Sequence, residues 1–184
     1  GVETLAEAAS VVIAPYLRFK QRLAQTQVLH SSDIFTVAGD WGGAPDWGEC
    51  SRAALACAEK LGLAQESQAI SNGTALPQSV EFWNEFEPRL QQFPGLLGSR
   101  LAAHEMGHAV HFNLAGIEKI HDPNLAETVA MFHEALWFRE MEKQAITPQK
   151  KMALLSDQLN CDMKTLEQIG HLQFEKNIYS HAKQ

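Results

Sequence analysis

The chain has 184 residues, 45% of them hydrophobic and 20% charged, with a formal net charge of -7 at pH 7. That length and apolar content suit a single domain over 1–184 with its own core. The acidic balance argues against nucleic acid or an anionic membrane as partner, and no apolar run approaches the roughly 20 residues of a membrane span.

The opening GVETLAEAAS lacks the basic-then-apolar order of a secretory leader, so a cytoplasmic protein is expected. Cys50, Cys57 and Cys161 form no C-x-x-C pair and read as small core residues rather than a disulfide framework or thiolate knuckle.

Helical spacing of apolar residues predicts a first helix from Leu5 to about Gln25, with Pro15 as a kink. The stretch QTQVLHSSDIFTV loses that period and suits a short extended piece. AGDWGGAPDWGE, residues 38–49, is a glycine, proline and aspartate loop. A helix follows from Ser51 to Leu61, ended by Gly62, and the small polar residues 64–76 read as a second loop. Pro77 or Ser79 opens a helix to about Phe93, where Pro94-Gly95 breaks it. From about Leu96 to Ala115 the apolar positions are Leu97, Leu101, Met106, Val110 and Leu114, and Gly116 supplies a stop. Asp122 caps the next helix, with Pro123 in its first turn, and that helix runs to about Gln144. Thr147-Pro148 starts another short helix, and Asp162 to about His181 makes a final amphipathic one. The fold class is therefore mostly α with little or no sheet: N-terminal helices in 1–93, then a helical hairpin and C-terminal helices in 94–184.

The hairpin carries the chemistry. Residues 104–111 read HEMGHAVH. At 100° per residue, His104 and His108 share one helix face and can reach a single ion, and His111 falls on the same side. Glu105 projects from the flank, where a carboxylate can take a proton from water attacking a carbonyl beside a metal. Gly107 costs about 1 kcal/mol mid-helix, which an ordinary surface helix has no reason to bear. A catalytic zinc site needs a third protein ligand. Glu127 and Glu134, seven residues apart in LAETVAMFHE, share a face of the next helix. Folding the hairpin about residue 120 brings Glu134 nearest the level of Met106, so both carboxylates stay open on these grounds.

HEMGHAVH followed by LAETVAMFHE resembles the oligoendopeptidase F and thimet oligopeptidase family of zinc metallopeptidases, whose active-site helix reads H-E-x-G-H-x-x-H. PYLRFKQRL with VLHSSDIF, and HLQFEKNIYSH, are similar to segments flanking that family's catalytic core. The resemblance implies a zincin-like helical domain and one Zn2+ per chain, held by His104, His108 and Glu127. Glu105 would be general base and later general acid, and His111 and Glu134 would orient the ligands. The implied activity is hydrolysis of short peptides through zinc-activated water. Zincins of the angiotensin-converting type also carry HEMGH, with a later F-H-E that Phe132-His133-Glu134 matches, which makes Glu134 the alternative third ligand.

This chain departs from the family in three respects. Its link from His108 to Glu127 is shorter, only FPGLLGSR stands where a substrate-binding strand belongs, and the family's later oxyanion-stabilising histidine and tyrosines have no counterpart. His171, Tyr179 and His181 are the nearest substitutes, although each reads as a solvated helix position. These departures give two alternatives: a metal-binding regulatory protein or one subunit of a larger peptidase, and a zinc hydrolase of a non-peptide substrate. A homodimer would reconcile them, because a second copy could cover an open site.

Overall fold

The computed structural model describes residues 2–25, 27–28, 38–42, 47–90, 95–116 and 123–181. Among them the protein is mostly helical, with α1 (Val2–Ala24), α2 (Trp47–Lys60), α3 (Ala64–Ser71), α4 (Pro77–Leu90), α5 (Gly95–Ala115), α6 (Pro123–Gln144) and α7 (Pro148–His181), and no strand. None of these helices is long and apolar enough to cross a membrane. Most of the stretch expected to be extended, and the Asp122 cap, lie outside the described residues.

Three of the expected element bounds are overturned. Residues 64–76 are not all loop, because Ala64–Ser71 is helical. AQESQAIS is rich in good helix formers, yet it buries only Ser67 and Ile70, too narrow an apolar face to give a helical period. The two helices expected after Thr147 are one helix of 34 residues. Thr147 caps it, its hydroxyl oxygen accepting the Lys150 N–H at 3.2 Å. Asn160 and Asp162 resemble a boundary in sequence but supply neither the glycine nor the proline that would interrupt the backbone ladder. The loop expected to reach residue 49 also ends sooner, at Trp47, where α2 begins.

The chain divides into two compact units, residues 1–39 with 155–184, and residues 40–154. In the first, Tyr16 of α1 donates a hydrogen bond to Asn160 Oδ1 of α7 at 3.3 Å, and the Ala38 N–H donates to Ser156 Oγ at 3.0 Å. Lys20 is fully buried there, its ammonium 5.6 Å from the Tyr16 ring centre. Burial lowers the Lys20 pKa to about 8, against the attraction of Asp157.

The second unit is arranged around α5, which packs against α2, α3, α4 and α6. A helix with neighbours on so many sides has to be apolar around its circumference rather than along one stripe. Ala102, Ala103, Met106 and Ala109 are wholly buried and Val110 nearly so, whereas Leu114, expected on the apolar stripe, is 57% exposed. Small residues on α5 let its neighbours come close, and Gly107 takes this furthest. A Cβ at that position would stand 2.8 Å from the Ala130 Cα and 2.9 Å from His133 Nδ1, both on α6. Bulk is supplied from outside the central helix. Trp137 on α6 is fully buried and donates its indole N–H to Ser99 Oγ at 2.9 Å, and Trp83 on α4 is nearly as deep. After α2, Gly62 adopts φ +76° and lets the Leu63 N–H reach the Ala58 carbonyl at 3.0 Å, which turns the chain into α3.

Candidate metal centre

Four-residue spacing on α5 stacks Arg100, His104 and His108 along one edge, facing α6. The imidazoles of His104 and His108 meet nearly at right angles, with ring centres 4.7 Å apart and their Nε2 atoms 3.1 Å apart. Glu127 on α6 completes a triangle: its Oε2 lies 3.4 Å from His104 Nε2 and its Oε1 lies 3.5 Å from His108 Nε2. One atom from each residue falls within 4.8 Å of the others, a group able to hold a metal ion. Zinc bonds of about 2.0–2.1 Å put tetrahedral ligand atoms about 3.3–3.4 Å apart, so the three edges have the right length for such an ion. The Glu127 side chain is 60% exposed, which leaves that side of the triangle open to solvent.

Glu134 occupies a different place. Its Oε1 lies 2.6 Å from His104 Nδ1, on the far side of the ring from Glu127, and its Oε2 accepts a hydrogen bond from Arg100 at 2.6 Å. A carboxylate can only accept, so Nδ1 carries the proton and Nε2 presents its lone pair to the triangle. Burial alone would raise the Glu134 pKa; the His104 hydrogen bond and the Arg100 charge reverse this and hold it below the ordinary carboxylate value. Burial likewise disfavours a charged His104, but Glu134, with Glu105 and Glu127, outweighs it and raises the His104 pKa. His108, buried and beside His104, is shifted down.

Glu105 lies on α5 between the two histidines and is half-buried. Burial pushes its carboxyl up to about 7 against the pull of His104; Glu127 and Glu134 add to the rise and Arg89 opposes it. Among the described residues its carboxylate has no hydrogen-bond or ion-pair partner.

His111 is not brought into the donor triangle: its buried Nδ1 has no hydrogen-bond partner, and its ring stacks toward Phe112 at 6.4 Å. His171 and Tyr179 are exposed positions of the other unit. His133, adjacent to Glu134, is fully buried against Gly107 and donates Nδ1–H to the Val129 carbonyl at 3.0 Å. Burial keeps it neutral, with its pKa lowered.

Sequence reasoning missed Arg100, although its place four residues before His104 was a usable signal. It also missed the wall on α4. Phe82 stands edge-on to His108 at 6.0 Å and to Phe112 at 4.9 Å, and Phe86 follows at 4.7 Å from Phe82. Comparison with models of known protein families, with curated proteins and with solved structures returns no match.

Proposed function

We propose that this chain is a zinc metallopeptidase that hydrolyses short peptides. The observation that carries the reading is the His104, His108 and Glu127 triangle at tetrahedral ligand spacing, with the unpartnered Glu105 carboxylate on the same helix. Two neutral nitrogens and one carboxylate are the donor set of a catalytic rather than a structural zinc, because they leave a fourth position for water or substrate. When bound, zinc would polarise the attacked carbonyl and make water a stronger nucleophile. Glu105, whose carboxyl titrates at about 7, would accept the proton from the attacking water and return it to the leaving amine. Glu134 holds His104 in the tautomer that offers Nε2, and Arg100 keeps Glu134 ionised. Cys50, Cys57 and Cys161 are unbridged, in keeping with a reducing compartment, and we assign the activity to the cytoplasm.

The deciding experiment pairs metal analysis with cleavage of a quenched peptide library. Stoichiometric zinc, lost in His108→Ala, together with cleavage abolished by Glu105→Gln while zinc stays bound, supports the reading. A protein that cannot be loaded with zinc removes it. A second reading is metal binding without hydrolysis, which the same experiment separates from the first. Zinc bound with no cleavage of any peptide would select that reading.

A further inference from the structure

The wall beside the donor triangle ends in a cation. Arg89, in the last turn of α4, lies over the Phe86 ring with its guanidinium carbon 5.5 Å from the centroid. Phe86 is 4.7 Å from Phe82, and Phe82 is 6.0 Å from His108. Those steps bound the distance from guanidinium to imidazole at the reach of about five extended residues, so a short peptide could touch both. Arg89 is exposed; it acts on the Glu105 carboxylate through its field, and among the described residues it makes no hydrogen bond or close ion pair. Stacking on Phe86 orders the planar fork in advance and leaves its N–H groups free to meet a carboxylate side-on. Arg89 is the cation at the outer end of the wall, so a substrate carboxylate is attracted there.

We propose that Arg89, Phe86 and Phe82 form a substrate subsite that takes a peptide carboxylate on Arg89 and an aromatic side chain on the two rings. This rests on the metallopeptidase reading and narrows its substrates to peptides with a carboxylate a few residues beyond the scissile bond. That carboxylate can come from the C-terminus or from an acidic side chain.

The test measures binding and hydrolysis separately. Zinc-loaded Glu105→Gln protein is titrated by calorimetry with N-acetyl-Phe-Phe as the free acid, with its amide, and with N-acetyl-Phe-Asp amide. A charge-assisted bidentate contact predicts that the free acid binds roughly tenfold tighter than its amide. Adding Arg89→Gln should erase that preference without changing the melting curve, and Arg89→Lys should restore part of it. Tight binding of the aspartyl amide assigns the contact to any suitably placed carboxylate; weak binding assigns it to the C-terminus. Equal binding of acid and amide, a preference that survives Arg89→Gln, or no binding of the free acid overturns the subsite. Hydrolysis by the zinc-loaded native chain tells the two proposals apart. Arg89-dependent binding with no hydrolysis removes the peptidase and keeps the subsite. Hydrolysis indifferent to Arg89 and to the terminal group does the reverse.

Discussion

His104 and Glu134 face one another across the α5–α6 hairpin with Nδ1 and Oε1 2.6 Å apart, and the same carboxylate holds the buried Arg100 guanidinium at 2.6 Å. The two contacts act on different quantities. Removing one member of a buried ion pair strands the other charge, which typically costs about 3–5 kcal/mol. Removing the carboxylate behind a metal-ligating histidine typically weakens metal binding about 10–100-fold. Glu134→Gln should therefore lower both stability and zinc affinity. Arg100→Met should lower stability, and should weaken zinc only as far as Glu134 loses its orientation. Urea unfolding of the metal-free proteins and zinc competition against a chelator measure the two effects. Additive losses in the double variant would show that the three side chains do not act as one network.

Gly107→Ala isolates the close approach of the helices. Alanine is the better helix former by about 1 kcal/mol, so a helix free of neighbours would gain from the change. Here the new methyl would stand 2.8 Å from a backbone atom, the Ala130 Cα, which cannot rotate away. Overpacking of this kind costs about 1–3 kcal/mol. The melting temperature should fall, and zinc affinity should fall with it, because moving α6 outward carries Glu127 away from the histidines. A variant as stable as the native chain would mean that the hairpin relaxes at no cost.

The hairpin was legible in sequence because its signals are local. Helical phase puts His104 and His108 together, and Pro123 and Gly116 mark the ends. Helical phase and spacing left Glu127 and Glu134 both open, since they lie on one face at nearly the right level, and only the family resemblance put Glu127 first. What separates them is which edge of the imidazole each meets, and that depends on how closely α5 and α6 pack at Gly107. The Phe82 and Phe86 wall was hidden for a similar reason. Aromatic residues at helical spacing read as core, and only the placement of α4 beside His108 turns them toward the site. The helix Ala64–Ser71 escaped notice because too few of its side chains are buried to write a period into the sequence.

Lys20 gives a pH dependence separate from the metal site. Its folded pKa is about 8 against an ordinary 10.5, the main cause being burial. Between those values the unfolded chain binds the proton and the folded chain does not, so this residue's contribution makes stability rise with pH. The gain is complete above 10.5 and lost as pH falls through about 8. Urea unfolding of the native protein and of Lys20→Met at a series of pH values checks the sign: the native chain should gain on the variant as pH rises from neutrality toward 10.5. A constant difference would place the ammonium in contact with water.

Glu127 offers the cleanest separation of metal binding from folding. Its side chain is 60% exposed, so Glu127→Ala should shift the stability of the metal-free protein by no more than about 0.5 kcal/mol. Zinc should stabilise the native chain in proportion to the logarithm of its concentration over Kd, worth about 2.7 kcal/mol at a hundredfold excess over Kd. In Glu127→Ala most of that increment should vanish, because two imidazoles alone do not close the site. Glu105→Gln should keep the increment in full, since the Glu105 carboxylate is not one of the three donors. Melting curves with and without zinc on the three proteins therefore assign the roles without any substrate. If zinc raises the melting temperature of Glu127→Ala as much as that of the native chain, the third ligand lies elsewhere and the triangle is not the site.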